Sequence, residues 1–378
     1  MSTSISLQGG QILTPEGAFE TADLHLADGW IVESPAAGGL SIDCRGYWVL
    51  PGIVDVHGDA FELELHPRPG VDIAFPIAMH SVDRQLLANG ITTAFHGLTV
   101  SWEPGARSLE AGRRFMDGLR GLRGNLTSDH CVQLRWETFA HDAIEDLASW
   151  LETEPTPAVA FNDHTTSTVE KVKAGNHKKL GQWAQRAGVT VEAYLAEVDR
   201  VWGRAPEVPT KIREVAELAG REGAVMLSHD ERALGERCAN RELGMRVCEF
   251  PLAREVAADA IASGEHVVMG APNVIRGGSH MGAMSAEEAI GEGHCSVLAS
   301  DYYYPSLFHA AERLVDRGVR PLNEAWDIVS KNPAAAMGLD DRGTIEIGRR
   351  ADVVVLDVAG PWRLVHTIAG GKATSFGR

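Results

Sequence analysis

Six residues spread along the chain have the chemistry of a divalent-metal site. His57 and Asp59 stand two apart, while Glu137, His164, His229 and Asp301 stand singly, each directly after an apolar run. Imidazole nitrogen and carboxylate oxygen are the donors that borderline divalent ions take. A single His or Asp after a strand is more often a loop hydrogen-bonder or a helix cap. Six at equivalent places point instead to one convergent site. Residues i and i+2 leave a strand on the same side, so His57 and Asp59 can reach one ion.

Convergence requires elements that aim these residues at one point. Apolar, strand-like runs are expected at Val49–Val56, Ile91–Phe95, Val132–Trp136, Ala158–Phe161, Ala224–Leu227, Arg246–Phe250, His266–Met269 and Ser296–Ala299, with helix-like intervals such as Val201–Gly220 and Leu252–Ser263 between them. Near-continuous apolar strands separated by helices read as an α/β parallel (β/α)8 TIM barrel, with a doubly wound sheet as the alternative. In such a barrel the active site forms at the C-terminal strand ends, where the six residues fall. The interval from Thr165 to Glu222 is too long for a plain crossover and is expected to carry extra helices near the site.

The first fifty residues read differently, as short alternating strands broken by glycine turns, and the stretch from Gly343 does the same. Neither end can bury a face alone, so the two are expected to pair into a small β-sandwich domain. The resulting division is residues 1–50 and 339–378 for the small domain and 51–338 for the barrel.

Composition narrows the functions. A net charge of −17 argues against nucleic acid as a partner, since a phosphate backbone demands a basic surface, but leaves room for a small phosphorylated substrate met by a metal and a few local arginines. No apolar stretch approaches the ~20 residues of a membrane span, and MSTSISLQGG lacks the pattern of a leader, so a cytoplasmic protein without a membrane partner is expected. The five cysteines have no metal-like spacing and read as thiols of a reducing compartment.

The segment LPGIVDVHGD at residues 50–59 resembles the signature of the amidohydrolase superfamily, and GRRADVVVLD at 348–357 is similar to the stretch that closes that superfamily's small β domain. Asp59 departs from the commoner second histidine and makes the site harder and more anionic. A longer series sharpens the resemblance: Pro67-Arg68-Pro69-Gly70-Val71-Asp72, Leu134-Arg135-Trp136-Glu137, Ser228-His229-Asp230, Glu249-Phe250-Pro251, the run from Met269 to His280, Ser300-Asp301-Tyr302-Tyr303 and Lys331-Asn332-Pro333-Ala334. From about residue 45 to about 357 the chain is similar to the PhnM family, the amidohydrolase-type diphosphatases of the carbon–phosphorus lyase pathway. Gly58 and Ala60 stand where that family has threonine and asparagine, and Thr165-Thr166-Ser167 replaces a Ser-Pro-Gly.

The resemblance implies a hydrolase that removes pyrophosphate from α-D-ribose 1-methylphosphonate 5-triphosphate, a small phosphorylated sugar. It implies that His57, Asp59, His164, His229 and Asp301 are metal ligands and that Glu137 bridges two metals. One or two divalent ions are expected, zinc first, with manganese or iron as alternatives. Bound water loses its proton to Asp301, the catalytic base. Charge on the phosphates would be met first by Arg68 and Arg276, then by Arg135, His280 and Lys331. For Arg135 an interstrand salt bridge is the favoured reading. Asp230 is expected to orient His229, Asp163 to cap a helix or support the site, and Tyr302, Tyr303 and Tyr304 to wall the pocket or pack in the core. The superfamily's two lone histidines commonly follow strands five and six, whereas here they are read after four and five. The alternative function is hydrolysis of a cyclic amide or N-acyl amino acid; a non-enzymatic scaffold is disfavoured, because unused buried ligands carry an electrostatic cost. A homodimer is the default assembly for such a barrel.

Overall fold

The computed structural model describes residues 4–35, 38–68, 70–175, 177–277 and 284–376. Eight strands pair in parallel and in chain order: Ile53–Gly58, Ile91–Val100, Asp129–Glu137, Ala158–Asn162, Met226–His229, Val247–Glu249, His266–Gly270 and Val297–Ala299. The eighth returns to the first. Asp301 N donates to His57 O at 2.9 Å, Asp59 N donates to Asp301 O at 2.9 Å, and Gly58 and Asp301 form a parallel bridge. The closed (β/α)8 barrel replaces the open doubly wound alternative.

Each strand sends an apolar residue to the axis, among them Val56, Phe95, Cys131, Ala160, Leu227, Val247, Val268 and Ala299. The interior is therefore a packed core. A second apolar layer joins the strands to the outer helices through residues such as Leu86, Phe115, Leu147, Val215 and Leu307.

The strand expected over Val49–Val56 divides in two. Trp48–Pro51 belongs to the small sheet and Ile53–Gly58 to the barrel. Gly52 is the joint: its N–H donates to Asp352 O at 2.9 Å, and a Cβ there would lie 2.2 Å from Thr92 Oγ1. Such close approach requires glycine. The small sheet has eight strands drawn from both chain ends, in the order Lys372–Ser375, Arg363–Ala369, Val353–Asp357, Trp48–Pro51, Ser4–Leu13, Phe19–Ala27 and Trp30–Val32, with Leu40–Asp43 also on Ser4–Leu13. It encloses its own core of Leu7, Leu26, Val49, Val353 and Ile368.

The long interval after the fourth strand carries four helices, His164–Lys173, His177–Ala187, Val191–Trp202 and Val208–Arg221. The first three share a satellite core of Val169, Leu180, Ala184, Tyr194 and Val198, against which Trp102 and Trp183 pack. This cluster stands over the second and third strand ends. Of the cysteines, Cys44, Cys131, Cys248 and Cys295 are buried and Cys238 is exposed.

Between barrel and helices lies a buried polar relay. Asp83 accepts from Ser128 N at 2.9 Å and pairs with His130 Nε2 at 3.1 Å, and His130 Nδ1 is 2.8 Å from His96 Nε2. The remaining ring nitrogen of His96 is buried with no partner. Burial, reinforced by His130, pushes the His96 pKa well below its ordinary value. The unfolded chain therefore takes up a proton near pH ~6.5 that the folded protein does not, so stability falls as pH drops below that point, by at most about 1.4 kcal/mol per unit. Substituting His96→Gln keeps a donor and removes the titration. Urea unfolding at pH 7.5 and 5.5 is expected to show a smaller acid loss in this variant; an equal loss would contradict the assignment.

Candidate active site

The first strand delivers His57 and Asp59 to the barrel mouth. Register irregularities between Asp55 and Gly58 interrupt strict alternation, and such bulges re-aim side chains. His57 turns towards the axis, where its Nδ1 lies 2.9 Å from Glu249 Oε1 at the end of the sixth strand. Glu249 Oε1 also accepts from Gln133 Nε2 at 2.9 Å. Burial opposes charge on both partners, but their mutual attraction outweighs it, raising the His57 pKa and lowering that of Glu249. With Nδ1 held, Nε2 is the nitrogen of His57 available to a ligand.

Among the described residues two groups of donor atoms form, each with all members within 4.8 Å of one another: His57, Asp59 and Asp301, and His164, His229 and Asp230. Glu249 lies between them, since its second oxygen is 3.8 Å from His229 Nε2. Those two atoms are buried and neither has a hydrogen-bond partner among the described residues. Unpaired buried polar atoms are costly, and a divalent cation with nitrogen and oxygen ligands would satisfy both. Asp230 Oδ2 sits 3.3 Å from His229 Nδ1, as an orienting carboxylate does. Burial works against its ionisation, but His229, then His164 and Arg135, hold its pKa at about 2. Asp301 moves the other way: burial first, then the charge of Asp59, raises its pKa.

The backbone is strained where these groups converge. Asp230 (φ 56°), Phe250 (φ 50°) and Asp301 (φ 56°) follow the fifth, sixth and eighth strands in left-handed conformations, which cost of order 1 kcal/mol or more each for non-glycine residues. Phe250 packs edge-on against His57 and His229, with ring centroids 5.1 and 5.3 Å apart. Beneath Asp59, a Cβ on Gly58 would come within 2.7 Å of Asp55 Oδ2 and 2.9 Å of Tyr304 Cε1.

The remaining expected site residues are placed as follows. His164 and His229 follow the fourth and fifth strands, as read from the sequence. Glu137 ends the third strand 3.6 Å from His164 Nδ1, but it accepts from His164 N, Thr165 N and Thr165 Oγ1 at 3.1, 3.2 and 2.7 Å. It caps a helix and belongs to neither donor group. Asp163 caps the same helix through Thr166 N at 2.8 Å. Arg135 pairs with Asp59 at 3.3 Å. Arg68 is exposed on the loop after the helix Phe61–Leu65, and Arg276 is exposed at the end of the helix Ala271–Arg276, 3.5 Å from Tyr302 OH. Tyr302 and Tyr303 are exposed and Tyr304 is buried. His280 lies outside the described residues.

Lys331 requires a correction: its Nζ donates to Pro15 O of the small domain at 3.3 Å. Its neighbours Ser330 and Asn332 bind Gly52 O and Ser296 O, at the N-terminal ends of the first and eighth strands. It therefore sits at the end of the barrel opposite the donor groups, where it cannot touch a substrate bound to them.

Glu249 was quoted only as part of the Glu249-Phe250-Pro251 segment and given no role in the site. The signal was present, a carboxylate after an apolar run, but the strand expected over Arg246–Phe250 puts it inside the element, whereas the observed strand ends on it.

A family model described as the amidohydrolase family matches residues 292–372. Among solved structures, a triazine hydrolase variant aligns with a TM-score of 0.67 at 13% identity, covering 98% of this chain and 94% of its own. The dihydropyrimidinase of Brevibacillus agri NCHU1002 aligns with a TM-score of 0.61 at 15% identity, covering 99% and 95%. Barrel and flanking sheet together are the fold of these amidohydrolase-type structures. The chain is also 31% identical over 362 residues, 94% of its length, to 91% of the α-D-ribose 1-methylphosphonate 5-triphosphate diphosphatase of Escherichia coli (strain K12). Within the amidohydrolase superfamily it belongs to the PhnM family.

Two substitutions probe this geometry. Glu249→Gln removes the charge between the donor groups and is expected to lower bound divalent metal about tenfold or more, measured by elemental analysis of protein with unchanged far-UV circular dichroism; full retention of metal would exclude Glu249 from the site. Gly58→Thr, the residue its family carries, is expected to cost about 1–3 kcal/mol by overpacking against Tyr304 and Asp55, read by urea unfolding; a neutral result would show that the seam has room to spare.

Proposed function

We propose that the protein hydrolyses the anhydride linkage between the α- and β-phosphates of α-D-ribose 1-methylphosphonate 5-triphosphate, releasing pyrophosphate. The observation that carries this reading is the likeness to the Escherichia coli diphosphatase over 94% of the chain. The donor groups around Asp301 and Glu249 support it.

Divalent ions, zinc first with manganese or iron as alternatives, would be held by His57, Asp59 and Asp301 on one side and by His164 and His229, the latter oriented by Asp230, on the other, with Glu249 between; such ions supply a lowered water pKa and positive charge for phosphate oxygens. The chain's own groups do the rest. Beside a cation the carboxylate is the favoured form of Asp301, so it can take a proton from water. The water oxygen then bonds to the α-phosphorus. The bond from that phosphorus to the oxygen bridging it to the β-phosphorus breaks, and pyrophosphate leaves with that oxygen. The proton on Asp301 is available to the departing group. His57, locked by Glu249, keeps its Nε2 aimed at one point throughout.

The Gly58 and Ala60 departures favour a second reading, the same groups acting on a cyclic amide or N-acyl amino acid. Phosphorus NMR of metal-loaded protein with the triphosphate separates the two. Pyrophosphate is expected from the wild type, and Asp301→Asn is expected to slow its appearance at least about 100-fold. No turnover by protein of confirmed metal content would remove the phosphate substrate.

A further inference from the structure

Beside the donor groups a cavity of about 390 Å³ lies between the ends of the second and third strands and the helices inserted after the fourth. It meets the candidate active site directly: His164 lines it, and Arg135 in its wall reaches Asp59 at 3.3 Å. Arg107, Arg135, Lys171 and Arg186 line it, against two carboxylates, Glu103 and Glu137. Three of these cations also pair with carboxylates, Arg107 with Glu62 at 3.0 Å, Arg135 with Asp59 at 3.3 Å and Arg186 with Glu103 at 2.7 Å, in a chain of net charge −17.

Both carboxylates are already engaged. Glu103 accepts from Arg186 Nη2 at 2.7 Å and Tyr194 OH at 2.6 Å, and Glu137 accepts from backbone N–H groups of His164 and Thr165. On the cationic side, Arg135 is only 7% exposed, and its Nε and that of Arg107 are buried without a hydrogen-bond partner among the described residues. A guanidinium N–H left unpaired beside a cavity calls for an acceptor inside it. Lys171 donates to Ser167 Oγ at 3.3 Å and stands 5.5 Å over the Trp183 ring, and all three residues line the cavity.

We propose that this cavity binds the diphosphate portion of the substrate, and that Lys171 and Arg186 are its specificity-determining residues; the proposal rests on the hydrolase reading above. Arg135 marks the junction. A triphosphate whose α-phosphorus lies at Asp301 and Asp59 extends its β- and γ-phosphates past Arg135 towards the helices His164–Lys173 and His177–Ala187, which carry Lys171 and Arg186. Charge-assisted hydrogen bonds from a lysine and an arginine fork suit phosphate oxygens.

Calorimetric titration with inorganic pyrophosphate, with metal bound and none in excess, tests the cavity apart from turnover. Lys171→Ala and Arg186→Ala are each expected to weaken pyrophosphate at least about tenfold and to raise KM for the triphosphate more than they lower kcat. Glu103→Gln removes the partner of Arg186 but no cation, and is expected to keep or strengthen the affinity. Affinity unchanged by both cation substitutions overturns the proposal even if the wild type turns over the triphosphate. A loss in Glu103→Gln equal to that in Arg186→Ala assigns Arg186 a structural role and also overturns it. Pyrophosphate binding that depends on both residues, in a protein that does not hydrolyse the triphosphate, upholds the cavity as a diphosphate site and removes the triphosphate reading alone.

Discussion

The backbone bonds that close the barrel are made by the residues that offer the candidate metal donors. His57 O, Asp59 N and both backbone groups of Asp301 form the seam between the first and eighth strands. Asp55, fully buried, reinforces it by accepting from Ser300 N at 3.0 Å and Ser300 Oγ at 2.5 Å. Placement of the His57, Asp59 and Asp301 side chains is thus fixed by closure itself, to the precision of a strand rather than of a loop. The left-handed conformation of Asp301 is held by the same two bonds.

Around that seam the chain buries charge, which is tolerable only where it is paired. Glu249 is completely enclosed, with one oxygen met by His57 and Gln133 and the other facing His229. On the outer side of the same strands Arg237, also completely enclosed, binds Ser228 Oγ at 2.7 Å, Glu231 Oε2 at 3.2 Å and Met245 O. Ser228 and Glu231 bracket His229 and Asp230, so this clamp holds the strained turn in place. The carboxylates of Asp59, Asp301 and Glu249 thus converge with His57 and His229 in a candidate metal site.

The barrel was legible because its strands are apolar runs of the right length, and the candidate donors His57, Asp59, His164, His229 and Asp301 were legible because they fall at the ends of those runs. What the sequence hid was set by single residues or by tertiary folding. Gly52 divides one apolar run between two domains, a consequence of Thr92 lying against it. Glu249 sits one residue from where the strand was expected to end. The arginines prominent in motifs, Arg68 and Arg276, are exposed, and Lys331 is at the wrong end of the barrel. Lys171 and Arg186 sit in no motif; only the folding of the inserted helices over Trp102 brings them to the cavity.

The account's central claim is that the seam residues and Glu249 form one cation cage. Anomalous diffraction at the zinc edge from crystals of zinc-loaded protein tests it most directly. The account predicts peaks at roughly 2.0–2.2 Å from donor atoms of His57, Asp59 and Asp301, with Glu249 or His229 completing the shell. Peaks confined to other residues, with this cage empty in crystals of measured zinc content, would contradict it.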